Sequence, residues 1–289
     1  MSLVARMPWF DRTGRVSRLK AAVFALTLVP ALWIGYQAAT GMLIPRPWTE
    51  ATHQTGVWAL RFLLIALAVT PARHIFDRSK IMQVRRMLGL TALTYALAHL
   101  AMYMFDQNLD LPKITSEIIM RLYLTIGFIA VVAMVVLGVT STDGMIRRLG
   151  AVRWRRLHLL VHPITILGIL HFFMQSKLDA SEAALMSGLY VLLLLYRLMI
   201  KRRIQLTLFP LAGAAILGAL ATAGLEASWY GLATRVKAHL ILEANLDFDA
   251  AIRPAWWVLA AGLALAFASL ARRRSKARGP SRPNAVAPA

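Results

Sequence analysis

The chain has 289 residues, 58% of them hydrophobic, a formal charge of +20 and no cysteine. That much apolar sequence exceeds what a soluble interior can enclose, and the missing thiols exclude disulfides, thiolate-held iron–sulfur clusters, cysteine zinc sites and covalent c-type haem attachment. The charge does not form one patch, as a nucleic-acid face requires, but returns at intervals along the chain.

Residues 1–20 read as a basic cytoplasmic leader. The apolar run after them lacks a small-residue cleavage site, so it reads as a retained span and not a removable signal peptide. A span needs roughly 20 apolar residues. Eight stretches qualify: 21–40, 57–72, 87–105, 120–139, 157–174, 183–200, 206–225 and 254–271. The second is short and needs flanking polar residues to reach the interface. Between the seventh and eighth, residues 226–253 carry Trp229, Tyr230 and mixed charge, and predict a helix on the outer surface. The end, 272–289, is basic and then rich in Pro and Ala, and is expected to be disordered.

The charges test this parsing. Segments 1–20, 73–86, 141–156, 197–203 and 272–282 hold 25 of the 33 Lys and Arg. The intervening polar segments hold ten of the 13 Asp and Glu. The positive-inside rule then puts both termini in the cytoplasm and requires an even number of spans. The expected fold is an all-α integral membrane bundle of about eight spans, with acidic residues missing from the spans.

Ionisable residues inside spans are costly and default to functional candidates. His99 in span three and His171 in span five each lie roughly 20 Å above a basic stretch, at 1.5 Å per residue. Two histidines at matching depth on different helices are fit to clamp a b-type haem, each supplying one axial imidazole nitrogen. His158 and His162 lie at the inner start of span five, and His158 is roughly 20 Å below His171, a separation that suits two stacked haems. His158 needs a partner there; span three offers Arg85 instead of a histidine, and His74 and His162 are the available substitutes. His53 precedes span two as an outer-loop residue or a neighbour of an outer cofactor; His74 and His239 read as interfacial and solvated. Arg61 and Arg121, near the outer ends of their spans, are candidates to bind haem propionates.

Several pieces are family-specific: HQTGVWALRFLL at 53–64, TP at 70–71, RRMLGL at 85–90, AHL around His99, RLYLTIG at 121–127, TST at 140–142 and RLGAVRWRRLH at 148–158. With these the stretch from about 50 to 200 resembles the MsrQ (YedZ) family, a branch of the ferric-reductase-like transmembrane proteins. The resemblance implies a haem-b membrane subunit of the bacterial inner membrane, also described as binding FMN. Such a subunit takes electrons from the quinone pool or a flavin and passes them to a periplasmic molybdopterin subunit, MsrP, which reduces methionine sulfoxide in oxidised periplasmic proteins. By motif position His99, His158 and His171 match the haem-associated histidines. The resemblance divides the chain into a haem-binding six-helix core at 21–200 and a two-span extension at 201–271. Two-haem relatives carry a histidine where Arg85 stands, so one haem is expected and a second is not supported.

Three other functions compete. A histidine-using metal or proton transporter predicts internal repeats or broken helices. A stand-alone ferric or quinone reductase of the same fold predicts a fused flavin–nicotinamide domain, and no dinucleotide fingerprint occurs. A membrane scaffold leaves the depth-matched histidines unexplained.

Overall fold

The computed structural model describes residues 7, 9–10, 14–176, 179–234, 236–249 and 251–277. Among them every extended regular element is a helix: α1 (Arg18–Ala39), α2 (Pro47–Phe76), α3 (Arg85–Asp106), α4 (Leu111–Met120), α5 (Leu122–Val139), α6 (Asp143–Leu157), α7 (Val161–Gln175), α8 (Ser181–Lys201), α9 (Leu208–Ala233), α10 (Ala238–Ala244) and α11 (Pro254–Ala277). Short 3-10 turns precede α3 and α7. Among the described residues eight helical stretches are long and apolar enough to cross a membrane: α1, α2, α3 with its 3-10 turn, α5, the continuous α6–α7 stretch, α8, α9 and α11. Large apolar side chains such as Leu26, Leu32, Val132 and Leu220 stay exposed on them, as lipid contact demands. The chain is a polytopic all-α membrane protein.

Three boundaries differ from the sequence reading, each for a local reason. The second span is not short, because α2 begins at Pro47. Proline in the first turn loses nothing by lacking an N–H, and Glu50 suits the positive helix end. His53 is therefore helical and not a loop residue. The segment before α5 holds the amphipathic helix α4, started by the Asp110 carboxylate, which accepts from Lys113 N at 3.0 Å. Finally, α9 continues to Ala233 and carries Glu226 fully buried inside a candidate span. The expectation of acid-free spans fails there, because Arg253 lies 3.1 Å from the carboxylate and balances its charge. Residues 272–277 extend α11, whereas 278–289 lie outside the described residues.

The two ends of the bundle differ in charge. At the basic end Arg272 donates to Asp77 O at 3.3 Å, Arg273 to Leu206 O at 3.0 Å, and Arg86 pairs with Asp143. Gly150, at φ +74° and ψ 153°, kinks α6 there in a region of backbone space open almost only to glycine. At the opposite, acidic end Thr49 donates to Asp106 at 2.8 Å, Arg61 pairs with Glu182 and Arg121 with Glu117.

Helix α2 is the axis of the bundle. Its faces enter one apolar cluster with α3, α5 and α7 through Ala59, Phe62, Leu63 and Ala66, and another with α7 and α8 through Leu60, Leu64 and Leu67. The α9–α11 pair packs on α8 through Leu192, Leu211 and Val258. Helix α1 is peripheral and is held by Tyr95 on α3. The Tyr95 hydroxyl donates to Thr27 O at 2.8 Å and accepts from Ala31 N at 2.9 Å, so it occupies one rung of α1 beside Pro30.

Candidate functional site

The α2–α3 and α5–α7 pairs leave a cavity of about 380 Å³ between them. His99 on α3 and His171 on α7 face each other across it. Their ring centroids are 6.1 Å apart and their planes cross at 84°. A metal–imidazole bond of about 2 Å on each side, plus about 1.2 Å from nitrogen to ring centre, puts the centroids roughly 6.4 Å apart across one ion. The observed spacing thus fits two imidazoles on opposite faces of a single metal centre.

The ring nitrogens are fixed by backbone. His99 Nδ1 lies 2.7 Å from Thr52 O, and His171 Nδ1 lies 2.8 Å from Tyr123 O. A carbonyl oxygen only accepts, so both Nδ1 atoms donate. In the neutral ring Nε2 then keeps its lone pair, which is the state that ligates a metal.

The cavity walls suit a flat apolar group. Gly56, Ala59, Ala96, Gly127, Ala130 and Gly168 line the slot, and among the described residues no carboxylate or guanidinium does. Its hydrogen-bonding side chains are Thr49, Thr52, His53, Tyr103 and Gln175. Thr49 also bonds Asp106, so this polar rim lies toward the acidic end. A ligand with one charged edge and an otherwise apolar plate would be oriented by that asymmetry.

The remaining sequence candidates lie elsewhere. Arg61 is ion-paired with Glu182 at 2.5 Å and stands 4.8 Å over the Trp58 ring. Arg121 pairs with Glu117 at 3.2 Å and donates to the Tyr123 hydroxyl at 3.1 Å. That hydroxyl and carboxylate hold its pKa above the ordinary arginine value. Neither arginine lines the cavity. His158 stacks on Trp154, centroids 4.1 Å apart, and its Nε2 is 3.3 Å from Thr140 Oγ1. His162 Nδ1 meets the Tyr190 hydroxyl at 3.0 Å. Among the described residues no second histidine shares a hydrogen bond or ring contact with His158 or His162. His74 ends α2 and His239 lies on α10, both exposed.

Sequence reasoning missed Gly56 and Gly127, which meet the two histidine rings, and the carbonyl partners four residues before each. The shared four-residue spacing from Thr52 to Gly56 and from Tyr123 to Gly127 was the available signal.

The family described as the ferric reductase like transmembrane component matches residues 55–169, which include His99 and end two residues before His171. The chain is 42% identical over 196 residues to the protein-methionine-sulfoxide reductase heme-binding subunit MsrQ of Rhodospirillum rubrum, covering 67% of this chain and 92% of that one. It is 43% identical over 188 residues to the protein of the same name from Xanthomonas campestris pv. campestris, covering 62% and 84%. The Xanthomonas oryzae pv. oryzae protein is 42% identical over the same shares. No solved structure matches. Identity at this level over nearly the whole of a relative shows common descent: the chain belongs to the MsrQ family of ferric-reductase-like transmembrane proteins.

Proposed function

We propose that the chain is a haem-b electron-transfer subunit that holds one haem between His99 and His171. The observation that carries this reading is the pair of facing imidazoles, 6.1 Å apart, each with its Nδ1 engaged by a backbone carbonyl. Membership of a family whose relatives are named heme-binding subunits supports it.

When bound, the haem supplies one-electron transfer; the protein sets its height, orientation and access. His99 and His171 would hold the haem iron through Nε2, which their Nδ1 contacts to backbone carbonyls leave free to ligate. The Gly and Ala walls would leave room for the macrocycle and keep its surroundings apolar. At the rim His53 and Gln175 would donate to the carboxylate edge, whereas the Thr49 and Tyr103 hydroxyls already donate to Asp106 and Glu117. Arg61 and Arg121 act from behind that rim, as paired cations at the same end.

In this reading the basic end faces the cytoplasm of a bacterium and the acidic end its periplasm, with the chain in the inner membrane. The reductant is a quinone or a flavin such as FMN, reaching the basic end near His158. The acceptor is a docked periplasmic molybdopterin subunit, MsrP, which carries the methionine sulfoxide reduction itself. The cavity's polar rim at the acidic end supports an exit on that side, because it brings the cofactor edge toward the surface.

The purified protein should show low-spin b-haem bands. His99→Ala and His171→Ala should each abolish them, and adding the periplasmic partner should reoxidise the reduced protein. Full haem content in both alanine variants would refute the ligand assignment, and no reoxidation would refute the acceptor.

A further inference from the structure

The cavity histidines are held by one device used twice. On α2, Thr52 O accepts from His99 and Gly56 follows four residues later. On α5, Tyr123 O accepts from His171 and Gly127 follows four residues later. A helix carbonyl points along the axis toward residue i+4, whose N–H it normally accepts. The side chain of that residue stands beside the lateral approach to the oxygen. With glycine there, an imidazole from a neighbouring helix can reach the carbonyl's second lone pair.

The space is already taken by the rings. A Cβ on Gly56 would lie 2.7 Å from His99 Nδ1 and 2.9 Å from Cε1. On Gly127 it would lie 2.8 Å from His171 Nδ1 and 2.9 Å from Cε1. Both contacts are shorter than real Cβ atoms show. Glycine weakens a helix interior relative to alanine, so two mid-helix glycines at these points need a packing reason.

We propose that Gly56 and Gly127 are positioning residues: each bares a backbone carbonyl that fixes the tautomer and plane of one iron-ligand imidazole, and together they set the two planes crosswise. The metal half of this statement rests on the haem reading above. The cradle half concerns the rings alone. Crossed axial imidazoles leave the iron dπ orbitals nearly degenerate and give one large-g resonance, whereas parallel planes split them and give a rhombic spectrum. The carbonyl bonds also raise ligand basicity, so their loss weakens iron binding.

The test uses the full-length protein with Gly56→Ala, Gly127→Ala and, as a control on α3, Gly89→Ala, where an added Cβ meets nothing within 4 Å. Electron paramagnetic resonance and haem titration are read on each. Wild type and Gly89→Ala should give the large-g signal. Gly56→Ala and Gly127→Ala should turn rhombic or lose the low-spin species, with apparent haem affinity lower by roughly 10-fold or more. Unchanged signal and affinity in both cavity variants would overturn the proposal. A variant that unfolds is read without haem instead: thermal unfolding of Gly56→Ala is compared in the wild-type and His99→Gly backgrounds. The penalty should vanish where the ring is gone; an equal penalty in both backgrounds overturns the cradle. Wild-type protein devoid of low-spin haem overturns the functional reading, while this coupling still decides the cradle.

Discussion

Arg197 on α8 donates to Leu67 O on α2 at 2.9 Å, and that carbonyl is the one Pro71 leaves without its helical donor. A proline removes the N–H that residue i−4 would use, and hydrocarbon offers no water to replace it. The guanidinium fills the vacancy from the neighbouring helix. Arg197 falls within a basic segment that reads as loop charge, yet it is partly buried and bonded inside the bundle.

A double-mutant cycle tests the coupling. Arg197→Met should cost about 1.5–3 kcal/mol, the range for a hydrogen bond involving a charged group. In a Pro71→Ala background Leu67 O regains its own helical donor, so most of that cost should disappear. The measurement is unfolding in detergent or bilayers of the four proteins. Equal costs in both backgrounds would detach Arg197 from Pro71.

The Glu226–Arg253 pair yields an asymmetric expectation. Glu226 is fully enclosed and Arg253 is 21% exposed, with 3.1 Å between them. Removing the cation strands a buried carboxylate, which costs about 3–5 kcal/mol, whereas making the acid neutral removes both the attraction and its desolvation penalty. Arg253→Met should therefore destabilise much more than Glu226→Gln. Combining them should recover much of the loss. A double variant as unstable as Arg253→Met alone would contradict this account.

Much of the architecture was legible because it is written in hydropathy and charge. Eight apolar runs and alternating basic and acidic segments suffice to define an eight-span bundle, and eight qualifying helical stretches are present among the described residues. Boundaries were less legible where polar residues stay helical: Pro47 and Asp110 start helices through capping chemistry that hydropathy averages miss. The pairing of His99 with His171 follows from equal depth on two spans. The backbone acceptors Thr52 and Tyr123 do not, because a carbonyl has no letter in the sequence. Arg61 and Arg121 were legible as cations near one end, but their partners Glu182 and Glu117 required the packing of α8 and α4.

His158 separates one haem from two. It stacks on Trp154 and contacts Thr140, outside the cavity, and no histidine among the described residues faces it. His158→Ala should therefore leave the low-spin spectrum and haem stoichiometry of the purified protein within error of wild type, while His171→Ala removes the bands. Loss of half the haem in His158→Ala would instead establish a second site at the basic end.

The cavity rim makes the last prediction. His53 and Gln175 are placed to receive a charged edge, since Thr49 and Tyr103 already donate to Asp106 and Glu117, and both arginines near that end already have carboxylate partners. If the rim binds the haem carboxylates, esterifying them should weaken binding. One charge-assisted hydrogen bond, at about 1.5 kcal/mol, corresponds to roughly a tenfold loss. The dimethyl ester of haem should thus bind wild type roughly tenfold more weakly than haem, since at least one such bond is lost. In His53→Leu and Gln175→Leu that ratio should fall toward one, because the groups that distinguish acid from ester are gone. Arg61→Gln and Arg121→Gln supply the comparison: with their side chains paired outside the lining, they should keep most of the wild-type ratio. A ratio that collapses in the arginine variants and survives in the rim variants would move carboxylate recognition from His53 and Gln175 to the guanidinium groups.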